Sequence, residues 1–191
     1  MVKEQEFWNS EAEKNADFAV WGTGTDNETK KCLDMVNKNL AGAKKIVDFG
    51  CGIGRIIFPL AAMNEGTFYG YDFSQSMIKE AHLRKYNRGI DNVHFSDDWD
   101  VIPEVDFVYS VVTFQHNNYE DLAISFQRIW DKLNKGGYFQ FQFVEGDHHS
   151  FLNHKYKYEN IVNMLNQIGF DILETEKGIY PEWIWILAKK L

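Results

Sequence analysis

The chain has 191 residues, with 28 acidic against 20 basic side chains and a formal net charge of −8 at pH 7. Roughly 70% of the extended-chain surface can be buried at this length, and 45% hydrophobic with 25% charged residues excludes a disordered chain. The acidic balance, without a cluster of Lys or Arg, argues against a nucleic-acid partner, and no apolar run reaches the ~20 residues that span a bilayer. The opening Met1-Val2-Lys3-Glu4-Gln5-Glu6 lacks the apolar stretch of a secretory signal. Cys32 and Cys51 have no paired spacing, which fits a reducing cytoplasm better than a disulfide scaffold or a zinc knuckle. One domain over 1–191 is expected, with 1–25 as an arm and 26–191 as the core.

The first 25 residues are polar with isolated aromatics (Phe7, Trp8, Phe18, Trp21) and end in Gly22-Thr23-Gly24-Thr25, an irregular or helical arm before a turn. A helix is predicted over 26–40, with Leu33, Val36 and Leu40 on one face. Ile46-Val47-Asp48-Phe49 is a strand running into glycines, and 55–63 is helical, with Pro59 near enough to its start to be tolerated. A second strand follows over Thr67–Tyr71, then a helix capped by Ser74 and carrying Met77, Ile78 and Ala81. A third strand covers 92–95, and the near-continuous apolar run 105–113 predicts a strand covered on both faces. Leu122, Phe126, Ile129 and Leu133 form one helical stripe closed by Gly136-Gly137, before another strand at 138–144. Ile161, Leu165 and Ile168 mark the last helix, stopped by Gly169, and 170–175 with 183–188 form an antiparallel pair. Strands alternating with helices predict an open, mostly parallel α/β sheet with helices on both faces.

Glycines 50, 52 and 54 in Asp48-Phe49-Gly50-Cys51-Gly52-Ile53-Gly54-Arg55 allow a tight turn, with bare backbone against a ligand at a helix start. The dinucleotide spacing G-x-G-x-x-G is not met, because Arg55 stands where its third glycine belongs, and no Gly-Lys-Ser/Thr follows. Asp72 lies 22 residues after Gly50, at the end of the second strand, where a carboxylate can accept both hydroxyls of a ribose.

These segments resemble the class I S-adenosylmethionine-dependent methyltransferases. Asp48–Gly54 is similar to that family's D/E-x-G-x-G-x-G motif, and Asp72 to its ribose acid. Asp106-Phe107-Val108-Tyr109-Ser110 resembles its fourth-strand motif, and Leu133-Asn134-Lys135-Gly136-Gly137 its L-x-P-G-G turn, with Lys135 in place of proline. The resemblance runs from about Ala43 to the C-terminus and implies a Rossmann-like seven-stranded sheet, order 3-2-1-4-5-7-6 with strand 7 antiparallel. It implies that Asp48, Gly50 and Gly52 meet the methionine part of S-adenosylmethionine, Asp72 its ribose and Phe73 one adenine face. Asp98 would meet the adenine amine beside Trp99, with Asp97 as the alternative register. S-adenosylhomocysteine is the product, and a small-molecule oxygen or nitrogen is the expected acceptor.

His116, in Thr113-Phe114-Gln115-His116, sits where many small-molecule members carry a similar Gln-His pair; it is the candidate general base, or else it orients the loop. Cys51 is expected to be a buried filler rather than a nucleophile. His148, His149 and His154 match no metal spacing, and no metal is expected. Trp8, Phe18 and Trp21 either pack on the sheet edge or close over the sulfonium as aromatic faces. The alternatives are a non-catalytic S-adenosylmethionine-binding module and a nicotinamide-dependent oxidoreductase.

Overall fold

Short runs of β-branched and aromatic residues become the strands, β1, β2 and β3 of them followed directly by glycine or aspartate, and the stretches between them with a four-residue apolar repeat become helices. The computed structural model describes residues 2–21, 26–40, 42–150 and 153–191; the side chains at 2, 18, 20 and 21 lie outside that description. The chain divides into two compact units, 1–103 and 104–191.

The first unit carries β1 (Lys45–Phe49), β2 (Thr67–Tyr71) and β3 (Val93–Ser96), paired in parallel with Val47 opposite Tyr69 and Tyr69 opposite His94. Its helices are α1 (Val2–Trp21), α2 (Asp26–Asn37), α3 (Ile57–Met63) and α4 (Gln75–Arg88). The arm is therefore helical, interrupted at Asn15, whose backbone is extended. α3 starts two residues later than expected because the glycine turn runs on to Ile56, which leaves Pro59 in the first turn where no N–H is missed. Ser74 caps α4 by accepting from the Met77 N–H, and Gly89 closes it in the left-handed region. Val47, Ile57, Leu60, Phe68 and Val93 form the buried core of this unit.

The second unit contains β4 (Val105–Ser110), a 3-10 turn (Phe114–His116), α5 (Tyr119–Lys132), β5 (Leu133–Val144), α6 (Tyr158–Ile168), β8 (Phe170–Lys177) and β9 (Trp183–Lys190). Two-residue strands β6 (His148–His149) and β7 (His154–Lys155) form a small pair that sequence patterning does not reveal. α5 ends before the expected Gly136-Gly137: Leu133 is already extended and pairs with Val105, and a bulge then brings Tyr138 opposite Phe107. Phe114, Phe126, Phe139 and Phe141 fill the core here, with the Phe126 and Phe141 rings 4.9 Å apart.

The sheet order is β3-β2-β1-β4-β5-β9-β8. β9 runs antiparallel to both neighbours, so β8 and β9 are the predicted sixth and seventh strands and the Rossmann-like expectation holds. No described helix is long and apolar enough to cross a membrane.

Candidate functional site

The glycine turn is tied to the end of β2 by its own backbone: the N–H groups of Gly50 and Cys51 both donate to the Tyr71 carbonyl, at 2.7 and 2.9 Å. Gly52 then donates to Asp72 Oδ2 at 2.9 Å, while Ser74 N–H donates to Asp72 Oδ1, also at 2.9 Å. One carboxylate thus holds the turn after β1 and the start of α4 in a single geometry. Only 8% of Asp72 is exposed. Burial pushes its carboxyl up to about 6, against the opposing pull of the Ser74 and Gly52 N–H groups.

Gly54 shows why the third glycine is needed although it misses the dinucleotide register. Its φ is +89°, and a Cβ there would stand 2.4 Å from the Phe58 ring. Asp48 is buried beside the turn, and burial lifts the Cys51 thiol well above its usual range, which disfavours the reactive thiolate.

Phe73 is half-buried, and its carbonyl accepts from Gln5 Nε2 at 2.6 Å. Asp97 and Asp98 are exposed beyond β3, and Asp98 Oδ1 accepts from the Asp100 N–H at 2.9 Å. Trp99 is 3% exposed. Its indole meets Phe49 and Tyr71 edge-on at 5.2 and 5.1 Å, so it is core, and only its backbone is left for a ligand. Trp8 lies half-buried and edge-on to Phe7, whereas the side chains of Phe18 and Trp21 fall outside the described residues.

In the second unit His116 is half-buried on the 3-10 turn after β4, its Nε2 3.5 Å from Gln115 Nε2. The segment leading to it is strained. Val112 has φ +59°, a left-handed conformation that a β-branched residue adopts only when its surroundings impose it. Its N–H donates to Gln142 Oε1 on β5 at 3.1 Å. Tyr156, fully buried, shares its hydroxyl proton between the carbonyls of Phe114, at 3.2 Å, and Asn117. Burial holds that hydroxyl well above its usual range, so it stays a donor. The turn bearing His116 is thereby pinned at both ends.

Tyr156 and Gln142 were absent from the sequence expectations. Tyr156 gives no pattern, standing alone between Lys155 and Lys157. Gln140 and Gln142 do, because polar residues alternating inside an apolar strand must find partners. Among the described residues Gln142 Nε2 and Gln115 Oε1 are buried without a protein partner, a donor and an acceptor that a bound group can satisfy.

His149 and His154 face each other on β6 and β7, with Nδ1 atoms 3.3 Å apart, and both His148 and His149 are exposed. Among the described residues no three His, Cys, Asp or Glu side chains are gathered in a way that holds a metal.

A family profile described as a methyltransferase domain matches residues 40–181. The chain belongs to this family. The "Ribosomal protein L11 methyltransferase" of Clostridium botulinum is 24% identical over 192 residues, covering 95% of this chain and 56% of that protein. The chain spans about half the length of the curated relatives it matches. Among solved structures, the DhpI–SAH complex has a TM-score of 0.76 at 17% identity, covering 97% of this chain and 94% of its own. Magnesium protoporphyrin IX methyltransferase of Synechocystis PCC 6803, with bound SAM, has a TM-score of 0.70 at 19% identity, covering 92% and 82%. These likenesses give the methyltransferase its fold, and the nucleoside expected from the glycine turn agrees with the ligands of both structures. The small-molecule acceptor expected from sequence does not stand, because curated relatives matching most of this chain are named for a protein acceptor. A Gln-His pair after β4 carries no information about the size of what is methylated.

Proposed function

We propose that this methyltransferase takes S-adenosylmethionine as cofactor and methylates a nitrogen or oxygen of a protein acceptor, releasing S-adenosylhomocysteine. The observation that carries the reading is the buried Asp72 carboxylate bound to the Gly52 and Ser74 N–H groups. An ionised carboxylate offers about four acceptor positions, so two remain for the two hydroxyls of a ribose. Asp48, Gly50 and Gly52 then line the methionine end and Phe73 covers an adenine face. Asp98 takes the adenine amine and the Trp99 amide lies at the ring, a backbone role that suits its buried indole.

Bound S-adenosylmethionine supplies a methyl group already activated by the positive sulfur. The protein's own work is alignment, which in oriented intramolecular reactions is worth ~7–11 kcal/mol. His116 accepts the proton that the acceptor atom loses as its new bond to carbon forms and the bond from carbon to sulfur breaks. The net charge of −8 supports a basic protein as acceptor, since opposite charge steers encounter. The family match at 40–181 crosses the 103/104 division, which supports both units acting as one domain over 1–191. The unpaired cysteines support a cytoplasmic setting.

The test supplies S-adenosylmethionine labelled on its methyl group together with purified ribosomal protein L11 and, separately, a small-molecule extract. Label is expected in acid-precipitated protein, and His116→Ala is expected to cut that turnover about 10²–10⁴-fold with S-adenosylhomocysteine affinity unchanged. Label confined to the acid-soluble fraction would remove the protein acceptor, and an undiminished His116→Ala rate would remove the base.

A further inference from the structure

Four polar side chains of α1 recur at every fourth position, and each one meets α4 or the turn before it. Gln5 Nε2 donates to the Phe73 carbonyl at 2.6 Å. Asn9 Oδ1 accepts from the Ser74 hydroxyl at 2.7 Å and from the Ser76 N–H at 3.3 Å. Glu13 accepts from the Ser76 hydroxyl at 3.2 Å, and Asp17 takes two N–H groups of Arg84 at 2.8 and 3.0 Å. A spacing of four places Gln5, Asn9 and Glu13 on one stripe of the helix before its interruption at Asn15, and Asp17 follows that interruption.

The two ends of this stripe differ in what they can control. The Asp17–Arg84 pair is partly solvated, and such pairs add little. Gln5 and Asn9 instead reach the residues directly after Asp72. The Ser74 hydroxyl points its proton at Asn9, which leaves its oxygen free to accept the Met77 N–H at 3.3 Å. Asn9 also satisfies the Ser76 N–H, one of the donors that the first turn of any helix leaves without an internal partner. The same Ser74 donates its own N–H to Asp72 Oδ1. A continuous chain of hydrogen bonds therefore runs from Asn9 through Ser74 to Asp72 and on to Gly52.

We propose that α1 is a strap in which Gln5 and Asn9 are positioning residues for the ribose-binding carboxylate, so that strap docking and cofactor binding strengthen each other. The inference rests on the cofactor reading above. The strap works by holding the Phe73–Ser76 backbone in place under the ligand's partner, Asp72, and not by covering the ligand. Coupling of this kind is reciprocal: whatever docking adds to cofactor affinity, the cofactor adds to docking.

Calorimetric titration of S-adenosylhomocysteine into the full chain tests it. Asn9→Ala and Gln5→Ala are each expected to bind about fivefold more weakly than the unaltered protein, the size of effect that follows loss of a helix cap. Asn9→Asp keeps the Oδ1 acceptor and is expected to restore affinity to within about twofold. Limited trypsin digestion reads the other direction, because Lys14 lies in the strap with an exposed side chain. S-adenosylhomocysteine should slow cleavage after Lys14 in the unaltered protein, and slow it less in Asn9→Ala. If the unaltered protein binds the ligand while Asn9→Ala and Gln5→Ala match it, and cleavage after Lys14 is indifferent to ligand, the strap proposal falls alone. If the unaltered protein does not bind, the cofactor reading falls and takes the strap with it.

Discussion

Asp72→Ala is expected to weaken S-adenosylhomocysteine binding at least 100-fold while leaving the fold standing. Two hydroxyl hydrogen bonds to a carboxylate are worth about 1.5–3 kcal/mol each, which converts to a factor of roughly 100 or more. The effect on stability is smaller because two terms oppose. The substitution leaves the buried Gly52 and Ser74 N–H groups without their acceptor, at about 1–3 kcal/mol each. It also removes a buried charge whose carboxyl stands at about 6 against an ordinary 3.8, a cost of about 3 kcal/mol at pH 7.

The pH dependence has a definite sign. The folded protein holds the Asp72 proton up to about 6, whereas the unfolded chain releases it near 3.8. Through that window the native state binds more protons, so this group makes stability fall as pH rises, and its contribution is level above the window. Ligand affinity is expected to run the other way, rising through pH 6 as the carboxylate proposed to accept the ribose hydroxyls forms. Urea unfolding of Asp72→Ala and the unaltered protein between pH 4 and 7 reads the first trend, and calorimetry the second. A ligand affinity that is flat across pH 6 would remove Asp72 from the ribose.

Phe114→Ala is expected to cost about 3–5 kcal/mol of stability, the range for deleting a buried aromatic ring. The Phe114 ring is 0% exposed and stands edge-on to Phe126 at 5.2 Å, Phe141 at 5.6 Å and Phe139 at 6.1 Å, so little can collapse into the space it leaves. Its carbonyl is one of the two that Tyr156 holds, and the turn it opens carries His116. Turnover should therefore fall further than the stability loss explains at temperatures where the variant is still folded. Urea denaturation and turnover at 15 °C check both; a loss under 1 kcal/mol would show that the four-ring cluster does not support the turn.

How much could be read in advance depended on whether the deciding interaction was local. Ser74 as cap, Gly169 as stop and the Leu122–Phe126–Ile129 stripe all act within one helix, and each appears where its spacing puts it. The glycine turn and Asp72 were legible for a related reason: a fixed strand–turn–helix unit sets their spacing, although the direct bond from Gly52 to Asp72 was not foreseen. The start of β5 at Leu133 depended on pairing with Val105, 28 positions away, and no local pattern carries that. The clamp on the His116 turn was hidden likewise, since Tyr156 reaches back 42 residues to Phe114 and Gln142 reaches 30 to Val112. Trp99 illustrates the opposite case. The resemblance sets it beside the adenine, and only the positions of Phe49 and Tyr71 make its indole part of the core.

Titration of S-adenosylhomocysteine into the purified full chain at pH 7.5, followed by heat, tests most directly whether the Asp72-tethered glycine turn is a nucleoside site. One ligand per chain is expected, with proton release appearing when the same titration is repeated near pH 5.5, where Asp72 is still largely protonated before binding. Absence of binding heat at either pH, together with an unchanged melting temperature at millimolar ligand, would contradict the account.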